Sequence, residues 1–492
     1  MYCKRGTAAE AEMSLCERPL ALVACILVAV VMASGIVRAA AATTKLADAP
    51  AVAETVDVAP VWSGHPVGFC LVTRGDAQYV AYYDKDRRLT VGKRQLGHAD
   101  WHFVGLHAAE AKVGKRPPRE DAAVVGWDSH NYIAMAFDSE GQLHLSGNMH
   151  VNPLVYFRTT RPGDIDSLQQ VPHMVGDRET RCTYPRFIDG PGHELIFAYR
   201  DGQSGNGADI YNRYDPAAHA WSRLFDTPFT DGLGRMNAYC RGPICGPDGY
   251  FHICWTWRNS PDCSTNHDLC YARSRDLIHW ETSAGKPLTL PITLETSEIV
   301  DAIPMKGGII NGNTLIGFDS AKRLVLSYQK NDADGNTQIY NARREGDGWK
   351  IVQASKWAYH WDFSGGGSIG FEIGLSALSP RGQGRLAQTW HHQKYGSGGW
   401  LLDEQTLEPV GTFTPAPTLP SSLGRVESKF IGMHVKMAED TGRNDRGDGR
   451  YVLRWETLGA NRDLPRPGEA PPPTMLRVYR ITTSQAPQEI SR

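Results

Sequence analysis

No stretch of this chain carries the three-to-four-residue apolar spacing of a long amphipathic helix, and that absence leaves a nearly all-β fold. Net charge is also almost missing. A value of -2 over 492 residues, with a pI near 6.8, excludes a generally basic, nucleic-acid-type surface, so an acidic ligand must be met by a local basic cleft. Long apolar runs are absent with one exception, Leu20 to Val37. Arg18 precedes it and Val37-Arg38-Ala39 with an alanine string follows, the form of a secretory signal ending in a small-residue cleavage site. Residues 1–39 are therefore expected to be a signal peptide, with Met13 a candidate start, and the protein is expected to be secreted or periplasmic. An uncleaved anchor is the alternative, because a run of this length just spans a bilayer. Leu22-Val23-Ala24-Cys25 resembles a lipoprotein box but lies near the start of the apolar run, not its end. Residues 40–58 are small and polar and read as a flexible lead-in.

What the chain does have is a repeat. Apolar runs are punctuated by tight polar turns at Asp84-Lys85-Asp86-Arg87, Asp138-Ser139-Glu140-Gly141, Asp189-Gly190-Pro191-Gly192, Gly246-Pro247-Asp248-Gly249 and Asp319-Ser320-Ala321-Lys322, then at a looser Ser379 to Gly384 and a long Asp440 to Gly449. A third-strand pattern recurs as Leu154-Val155-Tyr156-Phe157-Arg158, Ile210-Tyr211-Asn212-Arg213, Leu269-Cys270-Tyr271-Ala272-Arg273, Ile339-Tyr340-Asn341-Ala342-Arg343 and Leu476-Arg477-Val478-Tyr479-Arg480. Trp221, Trp280 and Trp349 follow it where a fourth, outer strand belongs. The tyrosines and tryptophans are expected to pack between blades. Turns at intervals of roughly fifty to seventy residues, one four-stranded unit each, predict an all-β, seven-bladed β-propeller. Length alone would suggest three domains at about 150 residues each, but a repeat through the whole chain makes residues 59–485 one domain. The 50 glycines and 30 prolines suit many short strands and turns.

Ten cysteines include seven beyond the apolar leader, an odd number that cannot all pair internally. Five of them (Cys240, Cys245, Cys254, Cys263 and Cys270) crowd the fourth repeat unit. His252 and Cys254 share a strand face by the period of two, and Cys263 and Cys270 are able to return to it, so a Cys3-His zinc site of structural role is expected. Disulfides are the competing explanation.

Hairpin geometry gathers a second set. A hairpin closed at Asp138 to Gly141 sets His130 opposite Met149 or His150; one closed at Asp189 to Gly192 brings Tyr184 beside Tyr199 and Arg200; in the next, Tyr239 faces Thr256-Trp257-Arg258. Each residue alone has an ordinary structural reading. Together, from three consecutive units at equivalent hairpin ends, they are the types needed for proton transfer and anion binding. Arginine binds a uronate carboxylate and stabilises the enolate-like charge that develops beside it, while tyrosine or neutral histidine moves the proton. A neighbouring arginine favours the phenolate over its reference pKa of about 10. The implied reaction is β-elimination.

His130-Asn131-Tyr132, Ser146-Gly147-Asn148-Met149-His150, Tyr184-Pro185-Arg186-Phe187, Tyr199-Arg200-Asp201-Gly202 with Ser204-Gly205-Asn206-Gly207, and Trp255-Thr256-Trp257-Arg258 through Asn266-His267-Asp268 resemble the BNR-repeat proteins that include the propeller ulvan lyases. The resemblance runs closely from Asp128 to Trp280 and by pattern elsewhere. It implies cleavage of ulvan, a sulfated rhamnose–uronate polysaccharide. It also implies catalytic roles for the pair His130 and His150, for Tyr184 as acid/base and for Arg200 as the carboxylate-neutralising group, with Asn148, Tyr239 and Arg258 contacting substrate. A structural metal at His252, Cys254, Cys263 and Cys270 fits the same resemblance. The expected partner is an acidic polysaccharide, with no organic cofactor, no nucleic acid and no stable membrane partner. Two alternatives stand beside it. A glycoside hydrolase on the same scaffold needs a carboxyl pair, for which Asp128 and Asp201 are available; a non-catalytic carbohydrate-binding propeller needs aromatic platforms, for which Trp127, Trp257, Trp390 and Tyr395 are available.

Overall fold

The computed structural model describes residues 49–442 and 449–482, so the expected signal peptide lies outside the described residues. Among the described residues the chain forms seven antiparallel sheets of four or five strands and only four short 3-10 turns. The first sheet joins both ends of the domain: Ala51–Val61 pairs with Thr474–Thr482, which continues to Arg450–Leu458 and Met433–Glu439. The lead-in expected through Val58 is thus corrected. From Ala51 on it is a strand, because Val56, Val58 and Val61 alternate into the core while Asp57 pairs outward with Arg477.

The second sheet runs from Cys70–Arg74 to His102–Gly105 and the third from Ala134–Phe137 to Leu168–Gln170. The fourth holds Cys182–Asp189, Leu195–Gln203, Asn206–Asp215 and Ala220–Arg223, with His150–Asn152 added at its edge. The fifth begins with Asn237–Cys245, Phe251–Arg258 and Asn266–Ser274. The sixth spans Leu315–Phe318 to Gly348–Gln353, and the seventh centres on Arg385–His392 and Gly396–Asp403.

The turns at Asp138, Asp189, Gly246 and Asp319 close the hairpin between the first two long strands of their sheets, and Met433–Glu439 and Arg450–Leu458 pair on either side of Asp440 to Gly449. Ser379–Gly382 is itself a short strand that turns back onto Arg385–His392. Asp84 to Arg87 joins the second strand of its sheet to the third, Ala77–Tyr83 to Leu89–Gln95, because the first hairpin there is already closed at Gly75 with φ +59°. Asp84 Oδ1 accepts the amides of Asp86 and Arg88, and this Asx geometry gives the Asp turns their recurrent form.

The third-strand tyrosines meet the fourth-strand tryptophans of the next sheet. Trp221 Nε1 donates to the Tyr156 hydroxyl at 3.0 Å, and Tyr271 lies edge-on to Trp349 at 5.5 Å. Other neighbours are joined by the Leu71–Asp440 bridge, Cys70 Sγ to Ile133 O at 2.8 Å, Arg186 Nη1 to Gly242 O at 2.8 Å, and Asn341 Nδ2 to Gln388 Oε1 at 3.0 Å.

Candidate active site

Tyr184 and Tyr239 converge through the register of their hairpins. His130 and His150 meet them from beyond the last pair of their own hairpin, Ala134 and Ser146, with His150 paired instead to Thr183 of the fourth sheet. One local irregularity aims the key side chain. Between Thr183, paired with Arg200, and Arg186, paired with Ala198, two residues bulge out of the ladder. Pro185 has no amide proton to lose, and Tyr184 takes φ +60°, a strained value for a tyrosine that rotates its ring off the sheet and into a cavity. In the fifth sheet the register places Tyr239 opposite Thr256 and Asn237 opposite Arg258.

The cavity is about 610 Å³ and is lined by His130, His150, Tyr184, Ser204, Tyr239 and Arg258, and also by Asn311, Ser368 and Phe371. The histidine rings stack at 4.2 Å, and His130 lies 5.7 Å from the Tyr184 ring, which lies 5.9 Å from that of Tyr239. Both Nδ1 atoms hold one carboxylate: His130 meets Asp128 Oδ1 at 2.8 Å and His150 meets Asp128 Oδ2. A second carboxylate, Asp463, lies 3.2 Å from His130 Nδ1. Burial works to lower the His130 pKa, but hydrogen bonds to Asp128 and Asp463 outweigh it and raise the value to about 9. Burial likewise opposes ionisation of Asp128, and the two histidines reverse it, holding the carboxyl well below its usual range.

The tyrosines divide by their neighbours. Tyr239 accepts from Arg200 Nη1 at 3.4 Å, shares a hydrogen bond with Ser204 Oγ at 2.6 Å, and has the Arg258 guanidinium 5.3 Å from its ring centre. Burial pushes its pKa up, but the charges of Arg200 and Arg258 prevail and the value falls below the ordinary tyrosine range. Tyr184 is raised well above that range, first by burial and then by the Tyr239 charge, with Arg200 opposing. The surroundings thus favour ionisation of Tyr239 and oppose that of Tyr184.

Arg200 does not line the cavity. It is 1% exposed, its Cζ 4.9 Å from the centre of the Tyr184 ring, and among the described residues its Nε and Nη2 have no hydrogen-bond partner. Arg258 does line it, braced by Ser260 O, Pro261 O and Asn311 Oδ1. Asn148, expected as a substrate contact, is corrected: fully buried, it donates to Ala122 O at 2.7 Å and Val124 O at 2.9 Å and ties the preceding loop to the sheet.

The expected zinc ligands are also corrected. Among the described residues His252, Cys254, Cys263 and Cys270 do not bring three donor atoms within reach of one ion. The register pairs Cys254 with Tyr271 but Cys270 with Trp255, so the two thiols leave opposite faces. His252 is occupied at both nitrogens, by the Tyr271 hydroxyl at 2.7 Å and Asp248 Oδ1 at 2.9 Å. All seven cysteines among the described residues are free thiols, so disulfides do not take the metal's place.

Sequence reasoning missed Ser204 and Asp463. Ser204 sits at a hairpin tip inside the Ser204-Gly205-Asn206-Gly207 turn, where its function as a phenol partner has no sequence signal. Asp463 lies in a connection outside the repeat.

A 131-residue stretch is 28% identical to the long isoform of ulvan lyase from an Alteromonas species, covering 24% of this chain and 13% of that relative, so the match spans only a small part of the relative's length. The crystal structure of polysaccharide lyase Uly1 superposes with a TM-score of 0.58 at 14% identity, covering 88% of this chain and 100% of that one. A PL25 ulvan lyase bound to -[GlcA(1-4)Rha3S]- superposes with a TM-score of 0.53 at 13% identity, covering 83% and 97%. At such identities these two likenesses establish a shared fold. The family model described as BNR repeat-containing family member matches residues 77–357, more than half of the sequence and all of the hairpins that build the cavity, and the chain belongs to that family.

Proposed function

We propose that this protein is a polysaccharide lyase that cleaves a uronate-containing sulfated polysaccharide of the ulvan type by β-elimination, on a seven-bladed β-propeller. The observation that carries the reading is the split tyrosine pair: Tyr239 between two guanidinium groups, Tyr184 protonated beside it. A uronate seated in the cavity faces Tyr184 and Tyr239, with Arg258 at the wall and the charge of Arg200, buried behind both rings, attracting its carboxylate. The Tyr239 phenolate removes the proton on the carbon beside the carboxylate, and the electron pair forms the new carbon–carbon double bond. The glycosidic carbon–oxygen bond breaks and the leaving oxygen takes a proton from Tyr184 or from the His130 imidazolium. This refines the expectation for Tyr184 and gives Tyr239 a chemical part beyond substrate contact.

Seven sheets in sequence, with the N-terminal strand completing the C-terminal sheet, support the propeller. Hydrolysis is the weaker reading, because the cavity holds no free carboxyl pair. Asp128 is bound by both histidines, Asp209 accepts Thr230 Oγ1 at 2.7 Å, and Asp201 lies outside the lining and 3.6 Å from Arg178. Export remains the expected route to an extracellular polysaccharide, on the strength of the apolar run Leu20 to Val37. Incubation with ulvan tests the function: an ultraviolet-absorbing unsaturated uronate supports it, and saturated reducing ends or intact polymer overturn it.

A further inference from the structure

We propose that Asp463, carried by the connection between the strands Arg450–Leu458 and Thr474–Thr482, is a positioning residue that fixes the His130 ring at the cavity wall and holds it in the cationic form. The inference rests on the lyase reading for its chemical meaning and on geometry for its substance. Asp463 lies in a connection between two strands of the first sheet, yet its carboxylate reaches two other connections. Oδ1 accepts the Ser129 amide at 3.0 Å, and Oδ2 accepts the Ser368 amide at 2.8 Å while facing His130 Nδ1 at 3.2 Å.

The backbone that delivers it is strained. Arg462 and Asp463 are consecutive non-glycine residues at φ +54° and +60°, a conformation that persists only where the surroundings over-determine it. They do so here. Arg462 N donates to Ser368 O at 3.1 Å and Arg462 Nη1 to Ser364 O at 2.6 Å, and a Cβ on Gly367 would lie 2.4 Å from Arg462 O, so only glycine allows the approach. The same glycine strap is bonded to the fifth sheet's loop through Gly365, whose amide donates to Asp262 Oδ1 at 2.7 Å.

A single Nδ1–H of His130 therefore sits between two carboxylates, Asp128 and Asp463. The other titratable groups around it are the stacked His150, Tyr184 at 5.7 Å between ring centres, and His65, which faces the same two carboxylates. His65 is itself lowered to about 4, first by burial and then by Arg87, so it adds no charge at neutral pH. Asp128 and Asp463 outweigh the burial of His130, and its pKa rises to about 9 accordingly. At neutral pH His130 then acts as a proton donor or as a cation facing the substrate's carboxylate, not as the base.

Histidine-labelled protein followed by NMR tests this against Asp463→Asn, which keeps size and an acceptor oxygen but removes charge. His130 is expected to titrate near 9 in the wild type, to fall by about one pH unit or more in Asp463→Asn, and to recover in part in Asp463→Glu. The alkaline limb of the rate profile moves with it. An unchanged His130 titration in the folded Asn variant overturns the proposal. So does a wild-type His130 that is neutral at pH 7.5, a measurement that decides the matter even if the variant fails to fold. The NMR readout needs no turnover, so absence of unsaturated product would fault the lyase reading alone.

Discussion

Ser204 Oγ lies 2.6 Å from the Tyr239 hydroxyl, and the two residues come from different sheets, one at a hairpin tip and the other on the first strand of the next unit. This contact joins the fourth and fifth sheets at the point where the proposed proton transfer occurs, and it makes the ionisation of Tyr239 testable through its neighbour.

In the proposed reaction Tyr239 acts as the phenolate, so activity should be lost as pH falls through its pKa. Ser204→Ala removes a donor that stabilises the phenolate and raises that pKa. The acidic limb of the kcat/KM profile should shift to higher pH with the plateau rate little changed; a limb that stays in place would show that Tyr239 is not the titrating group.

Tyr184→Phe deletes only a hydroxyl from a half-buried ring that lines the cavity. If that hydroxyl protonates the leaving oxygen, kcat should fall roughly 10²-fold or more while KM holds. A rise in KM alone would make Tyr184 a binding contact. Arg200→Ala should harm both constants, since it strips the charge beneath both phenols.

Asn148→Ala breaks two buried hydrogen bonds to Ala122 and Val124 and leaves a non-glycine residue at φ +56° without the side chain that tolerates it. Loss of stability of about 2 kcal/mol is expected, from about 1 kcal/mol per bond, read as a lower melting temperature. KM should hardly move, which separates this role from substrate contact.

His130 also gives the fold a pH signature. Its folded pKa of about 9 exceeds the unfolded value of about 6.5, so the stabilisation it contributes is complete below 6.5 and disappears as pH rises through 9. Denaturant midpoints measured across that window should decline more steeply in the wild type than in His130→Gln. Parallel declines would mean that His130 titrates as an ordinary surface imidazole.

Much of this was legible in the residues, for definite reasons. Asp and Gly turns have side-chain and φ requirements that mark hairpins in any context, which is why the turn at Asp138 to Gly141 predicted its hairpin. Register then carried Tyr184 and Tyr239 to one side, because hairpin partners are fixed by their turn, while His130 reaches the same cavity from a loop held by Asp128 and Asp463. The zinc reading failed on the same rule applied to one strand only: His252 and Cys254 do share a face, but the neighbouring strand pairs Cys270 with Trp255. Asn148 was misread because a strand-end amide that braces a loop is indistinguishable in sequence from one that faces a ligand. Asp463 was invisible, since no repeat or periodicity governs a connection whose partners Ser368 and Ser129 lie 95 and 334 positions earlier.

The most direct test of the central claim is ulvan cleavage in water enriched in oxygen-18. Elimination breaks the carbon–oxygen bond without adding water, so the new chain ends should be unlabelled, carry the unsaturated uronate, and vanish with Tyr239→Phe. One labelled oxygen per cleavage, with saturated ends, would contradict the account and assign hydrolysis instead.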